Sequence, residues 1–412
     1  MKRNILIVGA GIVGSCLAQR LSLTSGTHVT VLDRASGAPR GSTSLAPGFV
    51  GLYNDSAVLT SLAKESAEMY ERISGTGFVR SGGLELATSE AGACEIIERV
   101  KNAQQAGLRA SVLDRAAMPD SVRSFVDPDL VNLAASYADD GSADVQRLAH
   151  DVRRLAMSQG AQFIAGQQVT HIDHRGTRTT VTTAEGRQHA CDVLILAAGI
   201  WGSTVAKLID LELPIFPVAH PYAYSPQRPV TEPKAPFVRW PEHHVYARLH
   251  HNRIGIGSYN HKPIPATDEQ IEYGANLPWA QEFSAVIDSA QRLLRSSARF
   301  DPERRTNGAF AMTPDNLPFV GPHPKTTGIW VAQALWVTHA AGAAAALANR
   351  INDEADLPNE LAINRFDGSD TSALHSEALR LYRDIYAHAR NEDVEPQRLR
   401  HASFLSQAPA RD

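Results

Sequence analysis

The chain has 412 residues, 43% of them hydrophobic and 20% charged, with a formal net charge of −4. That length accommodates two domains with substantial cores, and the near-neutral charge without a basic block speaks against a nucleic-acid partner. No apolar stretch of membrane-spanning length runs uninterrupted: Ile329 to Leu347 comes nearest, and Thr338-His339 sits in its middle.

The three cysteines, Cys16, Cys94 and Cys191, are widely separated. They have neither metal-ligand spacing nor the look of a disulfide framework, which points to a reducing cytoplasm. Lys2 and Arg3 before an apolar run imitate a secretory signal, but three glycines and then Gln19 and Arg20 break that run.

Ile5-Leu6-Ile7-Val8 is a short unbroken apolar run, as expected of a strand buried on both faces. Gly9-Ala10-Gly11-Ile12-Val13-Gly14 follows, and Ser15 to Leu23 carries apolar residues at helical spacing. Strand, glycine-rich turn and helix stand in the order a dinucleotide site requires. Gly9 permits the turn, Gly11 lets the backbone approach a pyrophosphate, and Gly14 lets the helix pack on the strand. The helix N-terminus adds free N–H groups and the positive end of a dipole. The next apolar run, His28 to Leu32, ends in Asp33, nineteen residues past Gly14, where a carboxylate accepts hydrogen bonds from an adenosine ribose.

Residues 37–48 are a loop of glycine, proline and small hydroxyl residues, placed to lie along a flat ligand. Helices are expected over 57–74, 90–106 and from Ser142 to about Ser158, with a strand over Leu84–Thr88. Short strands follow at 163–164, 168–172 and 179–182. Cys191 to Gly199 reads as one more buried strand, ending in small residues at the nucleotide-binding edge. Between about 213 and 306 prolines and aromatic residues become dense. Phe237–Trp240, Val245–Leu249 and Ile254–Tyr259 read as antiparallel strands, closed by a helix over 279–297. Ile329–Ala332 is again a strand, and Trp336 to Gly342 turns into an alanine-rich helix whose N-terminus points at the ligand. Ala373 to Ala387 reads as an amphipathic helix.

The expected division is therefore a nucleotide-binding domain from 1–78, 143–212 and 307–370, a substrate domain from 79–142 and 213–306, and a C-terminal helical tail, 371–412. His243-His244 and His250-His251 look like metal bait. Neighbours in a strand face opposite ways, so both pairs read as hairpin surface and no metal site is expected. Arg239, Arg248 and Lys262 are equal candidates to anchor a substrate carboxylate.

Several stretches together are similar to one known family: Gly9–Gly14 with Asp33, Gly41-Ser42-Thr43-Ser44-Leu45-Ala46-Pro47-Gly48, Ala219-His220, Gly255 to His261 and Trp336-Val337-Thr338-His339, with Gly82-Gly83-Leu84-Glu85 and Thr313-Pro314-Asp315 in support. The chain resembles the FAD-dependent amine oxidases of the D-amino-acid-oxidase superfamily, and within it the dimethylglycine oxidases and the dimethylglycine and sarcosine dehydrogenases. The resemblance implies an α/β fold: a Rossmann-like FAD-binding domain beside a mostly antiparallel substrate domain. It implies FAD contacts from Ile12 and Val13 through backbone to the pyrophosphate, from Asp33 and Arg34 to the adenosine end, and from Val169 near the adenine. Ser42, Thr43, Ser44 and Leu45, and the stretch Trp336 to His339, are implied along the flavin, with Gly199 at the same edge. His220 and Tyr259 fall on substrate-pocket positions.

The implied reaction is oxidation of an N-methyl or N,N-dimethyl amino acid. Hydride passes from the carbon next to nitrogen to flavin N5, and the iminium hydrolyses to formaldehyde and the demethylated amine. A primary-amine oxidase, or an FAD-carrying subunit of a hetero-oligomeric dehydrogenase, remains the alternative. Either oxygen or an electron-transfer protein is the expected acceptor. Two departures are visible. Relatives carry a folate-binding half that has no counterpart before Asp412, so a separate folate-binding or oxidase subunit is a possible partner. Phe78-Val79-Arg80-Ser81 stand where some relatives have a flavin-linking histidine, so FAD is expected to be non-covalent.

Overall fold

The computed structural model describes residues 3–37, 39–73, 77–229 and 235–386. Its first layer is a six-stranded sheet in the order Phe319–Pro322, Ile329–Gln333, Val193–Leu196, Arg3–Val8, Thr27–Leu32 and Gln162–Ile164. The last five run parallel, and Phe319–Pro322 is antiparallel to its neighbour. Both faces are covered. Ile5 and Ile7 pack toward the helices Ile12–Leu21, Ala57–Ile73, Val145–Ser158 and Ala340–Ile351. Leu6 and Val8, pointing the other way, pack against a three-stranded antiparallel sheet through Ile172 and Val181. Burial on both sides is why this strand shows no polar alternation.

The second layer is a nine-stranded sheet that draws on two distant segments. Gly83–Ala87, Leu133–Tyr137 and Ala110–Leu113 come from the first. Asn276–Leu277, Arg304–Met312, Phe216–Tyr224, Arg253–Ser258, Val245–His250 and Phe237–Trp240 come from the second. The segments join where Phe237–Trp240 runs parallel to Gly83–Ala87; every other pairing is antiparallel. One face, with Leu84, Val238, Trp240, Ile254 and Ile256, buries a core that also takes in Ile287 from the helix Glu282–Ala290. The other face is turned toward the first layer.

Four boundaries differ from the sequence reading. Gly141–Ala143 is a strand pairing with Phe49–Val50 and Phe78–Val79, so the helix begins at Val145, capped by the Asp144 carboxylate on the Arg147 N–H. The strand expected over Cys191–Gly199 spans only Val193–Leu196. It is interrupted at Asp192, whose carboxylate accepts the Asn4 N–H. The helix expected over 279–297 is only Glu282–Ala290, tightening into a single 3-10 turn at Gln291–Leu293 before the chain extends at Leu294. Finally, Arg304–Met312 lies wholly in the nine-stranded sheet, so the domain boundary expected at 306/307 falls inside a strand. The C-terminal helix spans Thr371–Arg383; residues 387–412 of the expected tail lie outside the described residues.

The alanine-rich helix Ala340–Ile351 approaches Ala57–Ile73 closely because Gly342 faces its backbone: a Cβ there would lie 2.3 Å from the Leu62 carbonyl oxygen. Gly342→Ala is therefore expected to lower unfolding free energy by roughly 1–3 kcal/mol, the usual cost of overpacking, in denaturant titration. A neutral result would contradict this packing.

Candidate active site

The parallel strands Arg3–Val8, Thr27–Leu32 and Val193–Leu196 all end at one edge, and a cavity of about 840 Å³ opens there, reaching across to the nine-stranded sheet. At its near end lies the glycine-rich turn. Gly9 has φ +107°, and a Cβ on it would stand 2.3 Å from the Ala197 carbonyl oxygen. Gly9, Gly11, Ile12 and Val13 line the cavity. Gly14 does not; its missing side chain leaves room for the Gly9 carbonyl, 1.8 Å from where a Cβ would be. Gly11 is the N-cap of the helix Ile12–Leu21, with no side-chain cap and no acidic residue in the first turn. The positive end of this helix is thus turned to the cavity with no acidic residue in its own first turn.

Asp33 lines the cavity with its carboxylate already oriented: one oxygen accepts from the Ala10 N–H at 2.6 Å and the other from the Ala35 N–H at 2.8 Å. Arg34 stacks on Trp201, 4.8 Å from its ring centre, and donates to the Glu272 carbonyl. Val169 and Gly199 also line this end. Thr43 lines the cavity and bonds to the glycine-rich turn, its hydroxyl accepting the Ile12 N–H at 3.1 Å. Ser42 and Leu45 line the cavity, with the Ser42 hydroxyl donating to the Ala309 carbonyl at 2.8 Å. Ser44 does not: its hydroxyl folds back onto the Gly41 carbonyl at 2.8 Å within a 3-10 turn, so the expected ring contact is corrected.

A second helix begins at the same cavity. Trp336, Val337, Thr338 and His339 line it, fixed by the Tyr70 hydroxyl on the Val337 carbonyl (2.7 Å) and the Thr338 hydroxyl on the Phe49 carbonyl (3.1 Å). His339 is the N-cap of Ala340–Ile351 but makes no side-chain cap, and burial pushes its imidazole down to about 4, so it is neutral.

The far wall is built by sheet register. Glu85 lies opposite Arg239, Arg239 opposite Tyr246, Tyr246 opposite Gly257, and Gly257 opposite Tyr222. One row across four strand junctions therefore presents an acid, a base and two tyrosines on a single face. Gly257 makes the row possible: a Cβ there would come within 2.6 Å of the Tyr246 ring and 2.8 Å of Tyr222. His220, beside this row, is buried and stacks on Tyr246, with Tyr259 at 4.4 Å between ring centres. Its Nδ1 meets the Tyr382 hydroxyl at 2.7 Å and its Nε2 the Tyr246 hydroxyl at 2.6 Å. Burial holds His220 well below its ordinary pKa. Both His220 and Tyr259 line the cavity, but with both ring nitrogens engaged His220 has no free donor for a carboxylate.

The three cationic candidates separate clearly. Arg248 is spent on the backbone, donating to the Pro47, Gly48 and Ala143 carbonyls at 2.9–3.1 Å. Lys262 is exposed and does not line the cavity. Arg239 lines it, held by Glu85 at 2.9 Å and more distantly by Asp140 at 3.9 Å. Its Nε is buried with no hydrogen-bond partner among the described residues. Burial pushes the Asp140 carboxyl up to about 7 despite Arg239 beside it. Contrary to the hairpin-surface reading, His250 is half-buried against Tyr222, whose hydroxyl lies 2.8 Å from its Nε2.

Sequence reasoning missed Tyr246, Tyr382, Tyr386, Arg99 and the Glu85–Asp140 pair. Glu85 carried a signal, a lone acid within the apolar strand Gly83–Ala87, because a buried charge implies a paired one. Arg99 reaches it at 3.0 Å.

Among the described lining residues Asp33 is the sole carboxylate, against Arg34, Arg40, Arg99, Arg153 and Arg239. Two helix N-termini at the cavity, the oriented Asp33 carboxylate and this positive lining suit an extended anionic dinucleotide. The family model "FAD dependent oxidoreductase" matches residues 4–350. The chain belongs to the FAD-dependent oxidoreductase family. It is 26% identical over 343 residues to 4-methylaminobutanoate oxidase (formaldehyde-forming) of Paenarthrobacter nicotinovorans, covering 79% of this chain and 40% of that protein. It is 26% identical over 354 residues to the mitochondrial dimethylglycine dehydrogenase of Homo sapiens, covering 80% and 40%. The chain thus spans about two fifths of the length of these relatives. L-proline dehydrogenase from P. horikoshii superposes with a TM-score of 0.77 at 20% identity, covering 89% of this chain and 98% of that one, which shows the shared fold. The FAD-dependent family match ends before the helix Thr371–Arg383. Among the described residues no helix is long and apolar enough to cross a membrane.

His220, His250 and His339 are all held below the ordinary histidine value by burial. Unfolding releases them to about 6.5, so the unfolded chain binds more protons below that pH. Stability is fully present above about pH 6.5 and falls toward pH 4, by about 1.4 kcal/mol per pH unit for each histidine. Denaturant unfolding of the FAD-loaded protein at stepped pH measures this slope, and His339→Gln is expected to reduce it by one proton. An unchanged slope would place the His339 imidazole in contact with water.

Proposed function

We propose that this chain oxidises a small secondary or tertiary amine that bears a carboxylate, of the N-methylglycine or N,N-dimethylglycine type, with release of formaldehyde. The observation that carries this reading is the composition of the cavity's far wall. Tyr246, Tyr259, Phe310, Trp336 and Tyr386 bring aromatic rings, His220 is neutral, and no carboxylate lines this end among the described residues. Ring faces accept methyl groups and soft cations without demanding N–H donors from the ligand. The relatives named above, which act on methylated amines by their names, support the same class.

Arg239 is the cation for the carboxylate. Its guanidinium lies in the wall, oriented by Glu85, and offers the planar donor geometry that carboxylates match. The neutral His220 and the tyrosines exclude water around the amine. Their burial favours an uncharged nitrogen, whose lone pair must be free before the neighbouring C–H bond breaks. Bound FAD supplies the two-electron acceptor. The same reading gives FAD contacts to Asp33, Thr43 and the two helix starts, and the lining of the cavity by these groups supports it.

Anaerobic stopped-flow reduction tests the anchor. Arg239→Gln is expected to raise the concentration of N,N-dimethylglycine needed for half-maximal rate by about tenfold or more, the worth of one charge-assisted pair. The same variant should leave the response to a methylated amine lacking a carboxylate unchanged. Equal weakening of both ligands would remove Arg239 from the role.

A further inference from the structure

A secondary or tertiary amino acid arrives as an ammonium, with a pKa of roughly 10 if it resembles the lysine ammonium. If this chain oxidises such an amine, its proton must leave the far pocket wall, where no carboxylate among the described residues stands to take it. Behind that wall lies a hydrogen-bonded line of four side chains from three parts of the fold. Tyr246 and His220 line the cavity; Tyr382, on the helix Thr371–Arg383, and His261 do not. His261 is half-buried, so the line runs from the cavity toward the exterior.

The contacts fix where the protons are. The Tyr246 hydroxyl meets His220 Nε2 at 2.6 Å, His220 Nδ1 meets the Tyr382 hydroxyl at 2.7 Å, and His261 Nε2 meets the same hydroxyl at 3.0 Å. Tyr382 also donates to the Ala219 carbonyl at 3.0 Å, and His261 Nδ1 faces the Lys262 carbonyl at 2.9 Å. A carbonyl oxygen only accepts, so the Tyr382 proton points at Ala219 and His261 carries its proton on Nδ1. Tyr246 then donates to His220 Nε2, and His220 Nδ1–H donates to the Tyr382 oxygen. These four contacts use every proton that two neutral imidazoles and two phenols own. The fifth contact, His261 Nε2 to the Tyr382 oxygen, is left with lone pair facing lone pair. The neutral network is one proton short.

The geometry points to a proton exit path: Tyr246, His220, Tyr382 and His261 carry the substrate's ammonium proton out of the pocket, with Tyr382 and His261 acting as positioning residues through His220. The amine N–H bond breaks and its electron pair stays on nitrogen as an O–H bond forms at Tyr246. The original Tyr246 proton passes to His220 Nε2, the His220 Nδ1 proton to the Tyr382 oxygen, and the Tyr382 proton to His261 Nε2. His220 ends in its other tautomer, the hydrogen-bond directions along the line are reversed, and the one proton gained fills the gap on His261, from which it passes to water. The titratable and charged groups facing the path are Tyr259 beside His220, Tyr222 and Tyr386 around Tyr246, Arg239 near Tyr259 and Tyr386, and Glu282 and Lys262 beside His261. Burial lowers the basicity of His261, which favours release rather than retention of the proton.

This inference rests on the amine-oxidation reading above. The test is anaerobic flavin reduction by N,N-dimethylglycine between pH 6 and 10 in the FAD-loaded wild type, Tyr382→Phe and His261→Gln. The two variants lie on different elements, and Phe keeps the ring. The expected result is about a tenfold slower reduction in each variant at pH 7, less than the loss of a whole general base costs, because Tyr246 and His220 remain in place. That defect should close toward the wild-type rate near pH 10, where the amine is already neutral in solution. A defect of equal size at every pH, or none at all, overturns the exit path alone. A wild type that no carboxylated amine reduces at any pH overturns the parent reading and the path with it.

Discussion

The site depends on one close approach of backbone to backbone. Gly9 and Ala197 lie so near that no side chain fits between them, 2.3 Å separating a would-be Cβ from the carbonyl oxygen. That contact brings the ends of the strands Arg3–Val8 and Val193–Leu196 together, which their parallel register, Val8 opposite Leu196, already demands. The glycine-rich turn, the helix start behind it and the Asp33 carboxylate all take their positions from there. The Thr43 hydroxyl then ties the 42–45 loop to the same turn through the Ile12 N–H. A larger residue at position 9 would move the strand ends, and with them every group that faces the dinucleotide.

The opposite wall is organised by a different rule. Side chains opposite one another on neighbouring strands of a sheet face the same way, so Glu85, across the one parallel junction, and Arg239, Tyr246 and Tyr222, across the antiparallel ones, form a row although they are far apart in the chain. Burying a guanidinium is costly unless it is paired, and here Glu85 pairs it, with Arg99 completing the charge balance around that acid. Asp140, pushed up to about 7, adds less negative charge than its type suggests. The guanidinium therefore retains capacity for a ligand carboxylate. The aromatic rings and the neutral His220 make the rest of the wall apolar and uncharged, which is the ground for the proposed amine substrate.

Much of this was legible in the sequence, and what was not has physical causes. The first strand, the turn, Asp33 and the alanine-rich helix are local patterns, and local patterns survive in sequence. Arg239 could not be told from Arg248: they lie on neighbouring strands and both are arginines. The difference is that the 47–48 loop and Ala143 turn their carbonyls onto Arg248. Ser44 read as a cavity residue because Ser42, Thr43 and Leu45 beside it line the cavity, but a 3-10 turn folds its hydroxyl back onto the Gly41 carbonyl. His250 read as surface because it ends a hairpin strand, yet Tyr222 reaches it from two strands away in the same sheet. Tyr382 was invisible because it arrives from the C-terminal helix, 162 positions from the histidine it touches.

The most direct measurement of the central claim is anaerobic mixing of the purified yellow protein with N,N-dimethylglycine, sarcosine and longer N-methylamino acids, following the visible flavin band and assaying formaldehyde. Bleaching by at least one of these, with formaldehyde formed in proportion to flavin reduced, is the predicted result. An FAD-loaded protein that no N-methylated amino acid bleaches, or that is bleached only by primary amines without formaldehyde, would contradict it.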